Sequence, residues 1–184
     1  MTTSYTTITL RGVSREAVGQ AIGDLNLEAS LPEATGDFTV VNLEGTTPTL
    51  DRFYQQQDEF REIAAALSRR LGAQALAAMN LDDELLLLWA FDRGELVFQY
   101  DSNPMVLGCP VCSYSSETVP AEFSEVGRLA ELFVVPGRTR ALKSWLGRKR
   151  GLGFLAESER HGQIARLLEL PTAGAGGPPP LANP

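Results

Sequence analysis

Apolar residues change their spacing from segment to segment along this chain, and the spacing is the first guide to its elements. Residues 5–10 alternate loosely and are rich in Thr and Ile, the pattern of a strand in a sheet. Arg11-Gly12 turns the chain, Ser14 is placed to cap a helix, and Val13 stands outside it as a staple residue. Val18, Ala21, Ile22 and Leu25 form that helix's buried stripe; Gly19 and Gly23 either weaken the helix by about 1 kcal/mol each, if interior, or allow close packing on a sheet. Phe38–Leu43 reads as the next strand, residues 26–31 as an extra short one, and residues 45–48 as a turn. Phe53–Leu71 carries the strongest helical period: Phe53, Phe60, Ile63, Ala64, Leu67 and Leu71 recur at spacings of three, four and seven. Arg69 and Arg70 suit its last turn, and Gly72 suits the left-handed residue that closes it.

Residues 84–91 are continuously apolar after the first. Seven consecutive apolar residues, 85–91, cannot alternate between core and water, so this strand is expected to be covered on both faces, with Trp89 in the core. The Phe53–Leu71 helix is the expected cover of one face and the helices after Ala121 that of the other. Asp92-Arg93-Gly94 reads as a three-residue hairpin loop, with Leu96, Phe98 and Tyr100 sharing one face of the return strand.

After Asp101 the texture changes. Residues 101–120 hold three prolines and both cysteines and read as an irregular connection. Beyond them every periodic segment is helical, with one stripe of Phe123, Val126, Ala130 and Phe133. Leu142, Trp145 and Leu146 make a second stripe, and Ile164, Ala165, Leu167 and Leu168 a third. The tail, residues 171–184, is rich in Gly, Pro and Ala and is expected to be disordered. The expected fold is α+β. A mixed or antiparallel sheet of about four to five strands, a ferredoxin-like variant, carries additional C-terminal helices. Residues 1–170 then form one domain, with a sheet core in 1–100 and a helical part in 121–170 packed on it.

Composition narrows the class. At 184 residues with 43% apolar content, the chain is long enough for a real core and lacks the profile of a disordered or membrane protein. The amino terminus lacks the basic and apolar regions of a secretory signal, and two cysteines do not make a secreted disulfide scaffold. A cytoplasmic protein without membrane attachment is the expectation.

Few residues advertise chemistry. Cys109-Pro110-Val111-Cys112 has redox or zinc spacing, but Ser113-Tyr114-Ser115-Ser116 is a poor helix start and no second pair of ligands accompanies it. Loop cysteines or an incidental disulfide are the plainer reading. His161, the single histidine, falls beside the stripe of Ile164, Ala165 and Leu168 and reads as a packed or capping residue rather than a general base. Asp82-Asp83-Glu84 precedes the central strand and Asp101 ends its partner; opposed across a hairpin, Asp83 and Asp101 could bind a divalent ion for a hydrolase or transferase. A charged strand entrance without function is the alternative. No phosphate loop, dinucleotide fingerprint or zinc-peptidase motif occurs, and no cofactor is implied.

Charge is the most informative feature. The formal net charge is −7, but residues 1–127 hold 7 basic and 19 acidic side chains, a net of −12, and residues 128–170 hold 9 and 4, a net of +5. Within residues 138–150 stand Arg138, Arg140, Lys143, Arg148, Lys149 and Arg150, with Trp145 among them and no acid. The tract suits docking on an acidic protein surface, of this chain, a second copy or another protein. Single-stranded nucleic acid, gripped by the cations and stacked on Trp145 against the repulsion of the acidic remainder, is one alternative, and plain solvated charge is another. A non-enzymatic interaction or regulatory protein is therefore the leading expectation, with a protein partner or self-association ahead of nucleic acid.

The segment from Trp89 through Phe91-Asp92-Arg93-Gly94-Glu95-Leu96-Val97 to Tyr100-Asp101-Ser102-Asn103-Pro104 resembles one found in a group of uncharacterised bacterial proteins. The closing run Phe154, Glu159-Arg160-His161, Leu167 and Leu170-Pro171 is similar to the end of the same group. The resemblance covers about a third of the chain; it implies a bacterial origin, and neither an activity nor a functional residue.

Overall fold

Strand β1 (Tyr5–Arg11) organises the sheet, because it is paired on both sides: antiparallel with β3 (Phe38–Leu43) and antiparallel with β4 (Gln74–Leu81). The computed structural model describes residues 3–32, 35–104, 122–148 and 156–171. The expected connection beyond Pro104 with Cys109 and Cys112, the basic residues Lys149 and Arg150, and the expected disordered tail after Pro171 lie outside the described residues. Among the described residues seven strands form one sheet, in the order β2-β3-β1-β4-β5-β6-β7, with every neighbouring pair antiparallel.

The expectation of four to five strands is thus corrected upward. The long strands β1, β3, β4, β5 (Leu85–Asp92) and β6 (Glu95–Asp101) account for five; the excess is β2 (Ala29–Ser30) and β7 (Glu122–Phe123) at the two margins. Two residues are too few to show a period. Of the extra strand expected over residues 26–31, only β2 is formed, because Asn26 takes a left-handed conformation to close the preceding helix. Since neighbours alternate in direction, β1 runs parallel to β2 with β3 between them, and β3 runs parallel to β4 with β1 between them. Helix α1 (Arg15–Asp24) links the first pair and α2 (Phe53–Leu71) the second.

Both helices lie on one face. Val18, Ala21 and Ile22 of α1 and Phe60, Ala64 and Leu67 of α2 bury Ile8, Leu10, Val41, Met79 and Leu87. Ser14 caps α1 through its side chain, which accepts from Ala17 N at 3.2 Å. Gly72 closes α2 in the left-handed region, as its position implied. Trp89 is 3% exposed and meets the edge of Phe60, ring centroids 6.3 Å apart.

The other face of β4, β5 and β6 is covered by α3 (Val126–Leu132), α4 (Thr139–Leu146) and α5 (Glu157–Leu167). Leu86, Leu88 and Ala90 of β5 enter that core, while Leu85, Leu87, Trp89 and Phe91 enter the first. The seven-residue apolar run is therefore buried on both sides. Phe123, expected in the stripe of α3, lies instead in β7 and is 39% exposed.

The hairpin between β5 and β6 also differs in detail. Asp92 pairs with Glu95, so the loop is the two residues Arg93 and Gly94, both at positive φ, the turn that matches the twist of its strands. A bulge between Ala90 and Phe91 then shifts the register, with Phe91 opposite Leu96 and Ala90 opposite Phe98. Leu96 consequently does not share the face of Phe98 and Tyr100 and is 45% exposed. Gly94 has a second reason to be glycine: a Cβ there would lie 2.6 Å from the Cβ of Arg69. Its N–H donates to Ser68 Oγ of α2 at 2.9 Å, and that hydroxyl donates to Ala73 O, so one buried serine pins the hairpin tip to the helix. Among the described residues no helix is long and apolar enough to cross a membrane.

Candidate functional site

The basic tract separates into parts with different duties. Leu142 and Leu146 are the buried anchors of α4, which leaves Arg140 and Lys143 exposed on its outer side. Arg148 follows just past the helix end, also exposed. Arg138 does not belong to this surface in function. Its guanidinium donates to the carbonyls of Leu167 (2.9 Å) and Arg166 (3.2 Å) and pairs with Glu169 at 2.6 Å, so it satisfies the carbonyl end of α5. Trp145 is half-buried, and the Arg148 guanidinium lies 4.9 Å from its ring centroid. Among the described residues no carboxylate pairs with Arg140, Lys143 or Arg148. Beside them, Phe123 lies 4.0 Å from where a Cβ on Gly147 would stand, extending the patch with an exposed aromatic edge.

Among the described residues no side chain of the tract forms an ion pair with the acidic amino-terminal half. Arg11–Asp37, Arg61–Asp58 and an Arg70–Asp24 pair lie within the amino-terminal half, and Arg138–Glu169 and Arg160–Glu157 within the helical part. What holds α4 inward is apolar packing and backbone hydrogen bonding.

Beneath α4 lies a buried polar cluster. Glu157 and Arg160 form an ion pair at 2.9 Å with side chains 0% and 3% exposed. Arg160 also donates to Trp145 O at 2.6 Å, and the Tyr100 hydroxyl donates to Leu146 O at 3.0 Å, so the carbonyl end of α4 is met by donors from α5 and β6. His161, one residue on, stacks on Tyr5 of β1 and its Nδ1 is 2.7 Å from the phenol oxygen. Burial pulls the imidazole pKa down from 6.5 to about 4. Burial, reinforced by Asp83 and Glu157, pushes the Tyr5 phenol far above its usual range, so a protonated phenol and a neutral imidazole share this hydrogen bond. Burial raises Tyr100 in the same way. A neutral, enclosed imidazole already hydrogen-bonded to a phenol is poorly set to act as a general base on a solvent-borne substrate.

The acidic run has structural work as well. Asp82 and Asp83 both adopt left-handed backbone in the β4–β5 turn, a conformation aspartate tolerates. Asp83 Oδ1 accepts from Asn80 Nδ2 at 2.9 Å and from Ser158 N at 3.1 Å, so it caps α5 from another element; Ala156, the helix's own capping residue, has no side chain for the purpose. Asp101 pairs across the ladder with Leu87, whereas Asp83 lies in the turn before Leu85, and Asp101 Oδ1 accepts from Asn103 N at 2.8 Å. The two carboxylates do not oppose each other across the hairpin, partly because of the bulge. Among the described residues no group of three or more His, Cys, Asp or Glu side chains is placed to hold a metal ion.

Sequence reasoning passed over Glu157, Arg160, Tyr5 and Asn80. The only signal was the i,i+3 spacing of Glu157 and Arg160, which on an isolated helix describes a solvated pair; burial of that pair depends on α4 lying over it. Comparison with protein-family models, with curated proteins and with solved structures finds no match to this chain.

Proposed function

We propose that this protein is a non-enzymatic interaction or regulatory protein of the cytoplasm, and that the outer side of α4 docks on an acidic surface of a protein partner. The observation that carries the reading is the set Arg140, Lys143 and Arg148, exposed along and just beyond one short helix and without carboxylate partners among the described residues. Unpaired surface cations rimming a half-buried tryptophan and an exposed Phe123 have the make-up of a small interface, with an aromatic anchor and a charged rim. The structural duties of His161, Asp83 and Asp101 favour this reading over the metal-dependent hydrolase or transferase. The guanidinium over Trp145 favours a protein partner over single-stranded nucleic acid, because it occupies a ring face on which a base would stack. Residues 5–81 supply the scaffold: two interlocked β-α-β units, strand order β4-β1-β3-β2, support their reading as a ferredoxin-like unit extended at β4 by the hairpin.

The test is affinity capture from a bacterial lysate, the source the sequence resemblance implies, at low and high salt. Wild type is compared with the triple variant Arg140→Glu, Lys143→Glu, Arg148→Glu. A partner retained at low salt, released at high salt and lost by the triple variant supports the proposal. Equal capture by both proteins, or turnover of a small molecule that the triple variant retains, overturns it. Band shifts with single-stranded oligonucleotides on the same pair of proteins test the nucleic-acid alternative.

A further inference from the structure

Among the described residues, the large apolar side chains left exposed are Leu50, Tyr54, Leu96, Phe123 and Val134. Phe123 belongs to the α4 surface. Leu50 and Tyr54 fall one helical turn apart where the chain enters α2, 63% and 62% exposed. Scattered apolar residues on a surface need no explanation, but two of this size together form a patch. Phe53, Phe60, Ala64 and Leu67 turn α2 onto the sheet, so positions 54, 58 and 62 run along its outer side. Tyr54, Asp58 and Glu62 occupy them, all exposed, with Asp51 and Glu59 exposed to either side. Residues 50–62 hold four acids against two arginines. Arg61 is spent on Asp58 at 3.2 Å, which leaves Asp51 and Glu62 without an ion pair among the described residues.

This patch and the α4 surface are complements. Each has an apolar centre, Leu50 and Tyr54 on one, Trp145 and Phe123 on the other, and each carries charge of one prevailing sign: Asp51, Asp58, Glu59 and Glu62 against Arg140, Lys143 and Arg148. Helix α2 lies on one face of the sheet and α4 on the other, so the two patches point apart and cannot meet within one chain. Like patches do not suit each other either, because α2 on α2 sets acid against acid and α4 on α4 sets cation against cation. The arrangement that satisfies both is α4 of one copy on α2 of the next.

We propose that the partner of the α4 surface is a second copy of this chain, held by its outer α2 side through Leu50, Tyr54, Asp58 and Glu62. The inference rests on the docking role given to α4 above and names what α4 docks on. The contact is head to tail: each pair leaves one α2 patch and one α4 patch free, so copies add in succession, as rings or open strings, instead of closing about a two-fold axis. The formal net charge of −7 opposes association. That repulsion is screened beyond about 10 Å at 0.1 M salt, whereas the cations and acids of the two patches meet at contact.

The test is sedimentation of the full-length protein at about 0.1 M salt, from about 10 μM to about 1 mM. The mean mass is expected to rise continuously over that range, without stopping at two chains, and to return to that of one chain at about 1 M salt. Two variants divide the interface: Arg140→Gln, Lys143→Gln, Arg148→Gln on α4, and Tyr54→Gln, Asp58→Asn, Glu62→Gln on α2. All six positions are exposed. Each variant alone should self-associate at least about tenfold more weakly than wild type. Their equal mixture should form a pair and stop there, because it holds one intact patch of each kind; unfolded variants could not produce such a pair. The inference is overturned if wild type remains a single chain throughout, if either variant associates as wild type does, or if the mixture does not pair. A single-chain wild type that still captures a lysate partner through Arg140, Lys143 and Arg148 overturns this inference alone and leaves the docking role of α4 standing.

Discussion

The two faces of the sheet are closed by different means. On the face of α1 and α2, Trp89, Phe60, Leu67 and Met79 meet side chain to side chain, and the buried polar contacts are neutral ones such as Ser68 to the hairpin and Gln56 to the loop before α2. On the face of α3, α4 and α5 there is also an apolar layer, but its end is fixed by a buried ion pair, a phenol–imidazole contact and a carboxylate that caps α5 from another element. Apolar contacts are non-directional and tolerate small sliding; hydrogen-bonded charges do not. The first face therefore owes its stability to buried area, and the second owes the placement of its helices to directional contacts.

The strongest way to break this comparison is to remove one side of it. A chain ending at Pro120 loses α3, α4 and α5 and bares Leu76, Leu86, Leu88, Phe98 and Tyr100 to water. It is expected to aggregate or to show no cooperative transition in a urea melt. A soluble fragment with a sharp transition would mean that the two faces are independent. Next in size is Trp89→Ala on the first face, expected to lower unfolding free energy by about 3–5 kcal/mol in denaturant melts.

Glu157→Ala probes the second face through charge. Leaving Arg160 buried without its carboxylate should cost about 3 kcal/mol. The double variant Glu157→Leu, Arg160→Met should recover most of that, because an apolar pair of similar volume avoids the desolvation of both ions. If the double variant is as unstable as the single one, the pair contributes more than charge neutrality, and the hydrogen bond from Arg160 to Trp145 O is the place to look.

His161 gives the second face a pH dependence. Its folded pKa, about 4, is below the unfolded value of 6.5, so between these the unfolded chain binds more protons. The stability it contributes is fully present above pH 6.5, is lost as pH falls toward 4, and changes no further below that. The total is at most of the order of 3 kcal/mol. His161→Gln should flatten melts recorded across this window; an unchanged slope in the variant would assign the effect to other groups. The smallest expected effect has the opposite sign. Val134→Gly should relieve the left-handed strain at the end of α3 and raise stability by about 1 kcal/mol, seen as a higher Tm.

Much of this architecture was legible in the residues themselves. The alternation of 5–10, the helical period of Phe53–Leu71 closed by Gly72, and the unbroken apolar run 85–91 each specify an element and a degree of burial, because periodicity is a local property that packing preserves. The charge division and the exposed cations of α4 were legible for the same reason. The two-residue margins β2 and β7, the bulge that turns Leu96 away from Phe98, and the displacement of Phe123 out of its helix were not, since each answers to a neighbour far along the chain. Nor did spacing distinguish Arg138, spent on the end of α5, from Arg140 and Lys143, which remain exposed. The same holds for Glu157 and Arg160, whose charge marks them for the surface until α4 lies over them, and for Asp83, an acid in a turn until Ser158 arrives beside it. Hydrophobic pattern decides which stretches are helix or strand and which side is buried. Which polar group meets which depends on distances between elements that only the folded chain sets.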